Sequence, residues 1–199
     1  DVAAADPDAS VRDAARKALA GLGRDAPAAP APPGFRLHGH DAAGILKASR
    51  ALAGARVVFE TDRGEIEMVL LPDEAPAHCI NFAVLVGEGF YDGKTWHRVV
   101  GNFVIQGGCP RGDGWGGPGY TLPGEIALRT RCLRGTVGMP KAGDDTGGCQ
   151  VFITHLPTPH LDGRYSIFAQ VVRGLDVVDR IRVGDRINRA RLLVPRGGG

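Results

Sequence analysis

The chain has 199 residues, 43% of them hydrophobic, enough for one full domain with a sizeable core plus a small appendage. A formal net charge of +2 is too mild to argue for nucleic acid, and no segment approaches the length of a membrane-spanning helix. Cys79, Cys109, Cys132 and Cys149 form no CxxC pair and no finger spacing, which excludes a zinc module and a thioredoxin-type motif and leaves free thiols as the reading.

The first residue is Asp1, with no methionine, signal peptide or apolar span, so the expectation is a processed or trimmed chain whose compartment the sequence does not reveal. In DPDASVRDAARKALAGLG (Asp6 to Gly23), Val11, Ala14, Ala15, Ala18, Leu19 and Leu22 share one helical stripe, with Asp8 or Ser10 as N-cap and Gly23 as stop. The stretch resembles the second helix of a HEAT repeat. One such unit cannot bury its faces, so the resemblance implies a longer repeat region upstream, or else an isolated helix packed on the main domain. RDAPAAPAPPG (Arg24 to Gly34) reads as a semi-extended linker, and Asp41 to Gly54 as a weak helix. The domain reading is a helical segment over 1–23, a linker with weak helix over 24–54, the main domain over 55–195 and a tail over 196–199.

ARVVFETDRGEIEMVLLP (Ala55 to Pro72) alternates on both sides of Asp62, Arg63 and Gly64, a hairpin signal. Glu74 to Gly89 reads as a helix opened by a proline, with Ile80, Ala83, Val84 and Val86 inward. Short apolar runs follow at 96–106, 133–139, 150–154 and 165–172, then a helix over Gly174 to Ile181 and a last strand over 186–194. Many short strands with only two helices predict a mainly β fold, a closed antiparallel barrel capped by helices, because closure removes exposed edges. Arg180, Arg182, Arg186, Arg189, Arg191 and Arg196 read as a solvated helix face and edge strand. LVPRG (Leu193 to Gly197) reads either as a protease-site remnant or as native chain.

WHRVVGNFVIQGG (Trp96 to Gly108) places Arg98 and Gln106 on an otherwise apolar run, where polar side chains must find partners or lose their hydration uncompensated. With GGPGY, GMPKAGDDTGGCQVFI and PHLDGRYSIFAQVVRGLDVVDRI, it resembles the motifs of the cyclophilin family of peptidyl-prolyl cis-trans isomerases, in family order from about Arg56 to Val194. The resemblance implies an eight-stranded barrel and a cofactor-free isomerase acting on Xaa-Pro bonds of peptides and unfolded proteins, or alternatively a non-catalytic module that binds proline segments. It implies catalytic roles for Arg98, Gln106 and Phe103. It implies substrate contacts for Val104, Pro140, Lys141, Gln150, Phe152, His160, Leu161 and Tyr165. It further implies a bacterial type and, as the default for this fold, a monomer; the compartment, bacterial cytoplasm or periplasm, stays unknown, while charge and segment lengths give no nucleic acid and no membrane span.

Several positions depart from the family pattern. Val104 stands where the family has methionine, which shortens the socket wall. Pro140 and Lys141 stand where an alanine and an asparagine pair through their backbone with substrate, and Pro140 has no N–H. His160 replaces the tryptophan that favours cyclosporin, so weak inhibition by that drug is expected. Gly101 and Asn102 replace a Pro-Gly turn and tolerate the same backbone angles.

Other features read as bland. GDGWGG (Gly112 to Gly117) satisfies G-x-G-x-x-G, yet Pro118 and Gly119 follow where a dinucleotide fold needs a helix, so a nucleotide site is rejected. Cys149 with His155 or His160 invites a catalytic thiol or a metal, without supporting spacing, and a Cys109–Cys149 redox pair is conceivable but unsupported. HGH (His38 to His40) reads as solvent exposed, and Asp144 and Asp145 as solvated loop residues.

Overall fold

The computed structural model describes residues 42–127 and 130–195. The helix expected at Asp6 to Gly23 with its HEAT resemblance, the Arg24 to Gly34 linker, His38, His40 and the tail from Arg196 lie outside the described residues. Helix α1 (Ala42–Arg50) precedes a hairpin of β1 (Arg56–Thr61) and β2 (Gly64–Leu70), and helix α2 (Pro76–Gly87) leads into β3 (Lys94–Val100) and β4 (Val104–Gly107). Then come β5 (Thr136–Gly138), β6 (Val151–Thr154), a 3-10 turn (Pro159–Leu161), β7 (Ile167–Arg173), helix α3 (Leu175–Arg180) and β8 (Arg186–Leu193). The eight strands close in the order β1-β2-β7-β5-β6-β4-β3-β8, all pairs antiparallel.

Closure corrects one expectation. β8 is no edge, because it pairs with β1 (Arg56 opposite Leu193) and with β3 (Lys94 opposite Ile187). Leu193, at the start of the LVPRG stretch, is thus part of the barrel wall. Of the arginines there, Arg191 bridges Glu60 and Glu65. α1 is a third helix among the described residues. Its Ile45 and Ala48 pack against the core, and Leu52 just beyond it is buried, so the weak helix, described from Ala42 on, sits on the barrel.

The barrel interior follows from strand alternation: Phe59, Ile66, Met68, Ile105, Val137, Ile153 and Phe168 are fully buried. Phe59, Phe82, Tyr91 and Trp96 interlock in tilted and edge-on contacts, with centroids 5.3–6.2 Å apart. The run at 96–106 is two strands rather than one. Asn102, at φ 60°, turns the chain between β3 and β4, which an asparagine tolerates because its short polar side chain suits the left-handed region.

Helix α2 starts without a side-chain cap of its own: Ala75 is the N-cap and Pro76 opens the first turn. Glu125 supplies the missing acceptor from a distant loop. Its carboxylate accepts the backbone N–H groups of Ala77 and His78, each at 2.9 Å, and the His78 ring Nδ1 donates to it at 2.6 Å. Burial alone would raise the Glu125 pKa, but the hydrogen bonds from the His78 ring and the two backbone amides outweigh it and hold the group below its ordinary value. A depressed carboxylate stabilises the fold fully above the unfolded-state value of about 4.3 and loses that contribution as pH falls through the folded-state value. Glu125→Gln is therefore expected to lower stability by roughly 1.5–3 kcal/mol at neutral pH. Thermal melts should show the gap between variant and parent closing in acid.

Candidate active site

Strand β3 carries a bulge. Trp96 lies opposite Gly107 and Arg98 opposite Gln106, with the register shifting between them, so His97 is the extra residue. Trp96 is fully buried in the barrel; without the bulge Arg98 would follow it inward, and with it Arg98 swings to the outer face beside Gln106. Gly107 permits the packing, because a Cβ there would lie 2.7 Å from the Trp96 ring. The register then runs Arg98, Gln106, Phe152 and Gly138 across β3, β4, β6 and β5. Arg98 and Gln106 thus sit outside the core, on an outward row.

That row borders a second, smaller apolar cluster, distinct from the barrel interior: Val104, Cys132, Phe152, Leu161 and Ile167, with Phe103 and Tyr165 packed against it. Gly138 makes room for Phe152, since a Cβ there would lie 2.4 Å from the ring tip. Arg98, Phe103, Val104, Gln106, Pro140, Lys141, Gln150, Phe152, Leu161 and Tyr165 all line one cleft of about 750 Å³. His160 is absent from the lining and is exposed, but its ring stacks on Phe103 with centroids 5.3 Å apart. The Arg98 guanidinium carbon lies 5.9 Å from the centre of the Phe103 ring. Lys141 pairs with Asp144 at 2.7 Å and its ammonium lies 6.0 Å from the Tyr165 ring centre.

A chain of amides fixes how the polar groups point. Gln150 Nε2 donates to the carbonyls of Gly114 (2.8 Å) and Gly116 (3.0 Å), which are acceptors only. Its Oε1 therefore faces Gln106 and accepts from Gln106 Nε2 at 3.0 Å. That leaves Gln106 Oε1 toward Arg98, whose Nη1 reaches it at 3.5 Å. Gln106 keeps a second N–H, and the guanidinium keeps most of its fork, for an occupant of the cleft. The GDGWGG stretch thus serves as a carbonyl wall, and the described residues directly after it form no helix.

The surrounding loops are tied to α2. Buried Asn81 donates to Gly148 O at 2.8 Å and accepts from the Tyr120 hydroxyl. His97, Asp113, Trp115, Tyr120 and Thr146 also line the cleft and were not singled out from sequence. His97 is the β3 bulge residue, and the other four sit in glycine-rich loops whose composition marks turns but not what the turns enclose. Asp144 and Asp145 are exposed, as expected of solvated loop residues, and Asp145 in addition adopts φ 56° and accepts the Gly124 N–H at 2.7 Å.

Nucleophilic chemistry has no support here. Burial, with the Cys109 thiol nearby, pushes the Cys149 thiol up to about 12, the wrong direction for a thiolate. Burial also pushes Cys109 up, but backbone N–H groups of Gly116, Arg111, Asp113 and Gly114 outweigh it and leave the thiol lowered. The Gly116 N–H to Sγ distance is 3.2 Å, so Cys109 holds the carbonyl wall together. Burial lowers His97, which favours its uncharged form. The four cysteines, all within the described residues, are free and buried.

The family described as cyclophilin type peptidyl-prolyl cis-trans isomerase/CLD matches residues 56–195. A peptidyl-prolyl cis-trans isomerase of Synechococcus elongatus is 45% identical over 140 residues, 69% of this chain and 96% of that protein. Peptidyl-prolyl cis-trans isomerase B of Bacillus subtilis is 46% identical over 132 residues, 66% of this chain and 92% of that protein. A cyclophilin-type isomerase of Cryptosporidium parvum, crystallised in the presence of the dipeptide Ala-Pro, superimposes with a TM-score of 0.63 at 27% identity, covering 71% of this chain and 99% of that one.

Proposed function

This chain belongs to the cyclophilin-type peptidyl-prolyl cis-trans isomerase family, and from that premise we propose that Arg98, held by Gln106 and Gln150, is the group that accelerates rotation about an Xaa-Pro bond. The observation that carries the proposal is the bulge that sets Arg98 beside Gln106 at the edge of an apolar socket.

Amide resonance resists rotation by about 18–20 kcal/mol, and an uncatalysed Xaa-Pro bond takes tens to hundreds of seconds to interconvert. Twisting localises the lone pair on the prolyl nitrogen. A donor aimed at that nitrogen binds the twisted amide better than the planar one, and only such differential binding raises the rate. Arginine suits the role because it stays charged and its donors form a rigid fork. The prolyl ring would sit on Phe103, Val104, Phe152 and Leu161, with Tyr165 and His160 at the margin. The second Gln106 N–H would hold the carbonyl on the fixed side of the bond, with backbone pairing along Pro140 and Lys141. Pro140 offers only its carbonyl, so the pairing there runs one way. No step needs a group to ionise or a bond to break.

The clients in this reading are peptides and partly folded chains that present an accessible proline. The test is refolding of a protein whose slow phase is proline isomerisation: the enzyme should shorten that phase at substoichiometric concentration. A slow phase left unchanged while the protein binds the refolding chain would reduce the cleft to a recognition site. Cyclosporin should inhibit weakly, because an exposed histidine stacked on Phe103 offers less apolar area than an indole at the same place. Nanomolar inhibition in the same assay would contradict the role given to His160.

A further inference from the structure

A second pocket lies apart from the prolyl cleft and shares no lining residue with it. Its volume is about 280 Å³, and Val99, Gly101, Asn102, Arg134, His155, Leu156 and Asp179 line it. The His155 side chain is only 9% exposed, and its Nδ1 lies 3.1 Å from Asp179 Oδ1. Its Nε2 is buried and has no hydrogen-bond partner in the protein. An orphaned polar atom on a buried ring is costly unless something enters to meet it.

The remaining polar groups say what that something is. Asp179 is already engaged on both oxygens, by His155 and by Arg134, whose Nη2 lies 2.5 Å from Oδ2. Arg134 carries further N–H donors, and Asn102 adds an amide, so the pocket is rich in donors once Asp179 is committed. Asp179 faces His155 from α3 and Arg134 from the segment before β5, while β3 and the β3–β4 turn contribute only the uncharged Val99, Gly101 and Asn102. With a neutral imidazole, Arg134 and Asp179 balance. With a protonated one, the pocket holds one uncompensated positive charge, which a single carboxylate would neutralise.

We propose that this pocket binds a carboxylate, gripped by Arg134 and by His155 in its protonated form, with Asp179 steadying both cations from behind. The arginine fork matches a carboxylate in shape. Val99 and Leu156 give an apolar lining for a short alkyl stem. The volume falls just short of the roughly 300–1,000 Å³ of drug-sized sites, so the ligand is a small acid or the carboxylate end of a peptide. The pocket also touches the catalytic face, since the His155 N–H donates to Phe103 O at 2.8 Å.

The probe is propionate, with propionamide as its uncharged counterpart, followed by NMR at the His155 ring and the Asn102 side-chain amide. The expected result is a saturable shift with propionate and none with propionamide, while the Trp115 indole in the prolyl cleft stays still. Only a ring that carries its extra proton adds a positive charge to the pocket, so propionate should bind more tightly in acid than at neutral pH. Arg134→Gln, a change at a half-exposed side chain, should weaken binding by about tenfold or more, and His155→Asn should remove the pH dependence. A peptide with a free C-terminus, compared with its amidated form, separates the two sources: tighter binding than propionate assigns the site to chain ends, weaker binding to small acids. The proposal is overturned if propionate gives no saturable shift up to about 50 mM at low pH, if propionamide binds equally well, or if Arg134→Gln binds like the parent.

Discussion

Arg98→Ala is expected to lower kcat/KM for a prolyl peptide by about one to two decades, measured by stopped-flow cleavage coupled to the trans isomer. The magnitude follows from a charge-assisted hydrogen bond worth roughly 1.5–3 kcal/mol net, at 1.36 kcal/mol per decade of rate. Arg98→Lys should fall between parent and alanine variant, because lysine keeps the charge but not the planar fork that Gln106 aligns. The fold should be untouched: Arg98 is exposed, and the barrel core lies on the other side of the strand. A loss smaller than about threefold would move the catalytic burden onto desolvation and the socket.

Gly174→Ala is expected to be the most damaging of the single-methyl additions. Gly174 has φ 89°, where a side chain is strained, and a Cβ built there would lie 2.2 Å from the Glu65 carbonyl oxygen. That neighbour is β2 backbone and cannot rotate away. Strain of this kind with a backbone clash implies a loss of at least about 3 kcal/mol, or roughly 6–12 °C in Tm for a chain of this size. The position is where the chain leaves β7 and enters α3, so relief would require moving α3, whose Val177 and Val178 are buried in the core. A variant melting within about 1 °C of the parent would show that this junction gives more easily than its geometry allows.

Much of the cleft was legible in the Trp96 to Gly108 stretch, because an arginine and a glutamine on an apolar run demand partners. The β1–β2 hairpin was legible from alternation around Asp62, Arg63 and Gly64, and α2 from its proline start. What stayed hidden has a common cause: it depends on how strands and loops pair, which no local pattern states. The His97 bulge is a relation between β3 and β4, and composition alone reads 96–106 as one strand. β5 shrinks to Thr136–Gly138 within the expected 133–139, because its neighbours β6 and β7 pair only that far. The arginine-rich last strand reads as an edge until β1 and β3 are seen to cover both its sides. Glu125 capping α2, and Asp179 and Arg134 meeting over His155, join groups tens of residues apart that no local pattern connects. The Trp115 loop could not be placed from its glycines, since the carbonyls that orient Gln150 are visible only once the loop is folded.

The central claim is that Arg98 binds the twisted prolyl amide better than the planar one. Its most direct test is NMR exchange spectroscopy on an Ala-Pro-Phe peptide, reading cis-trans exchange rate and peptide affinity from the same samples of parent and Arg98→Ala protein. The account predicts that the variant binds the peptide within about threefold of the parent while losing most of the accelerated exchange. If affinity and exchange fall together in proportion, or if exchange survives without Arg98, the arginine grips the ground state only and the account is contradicted.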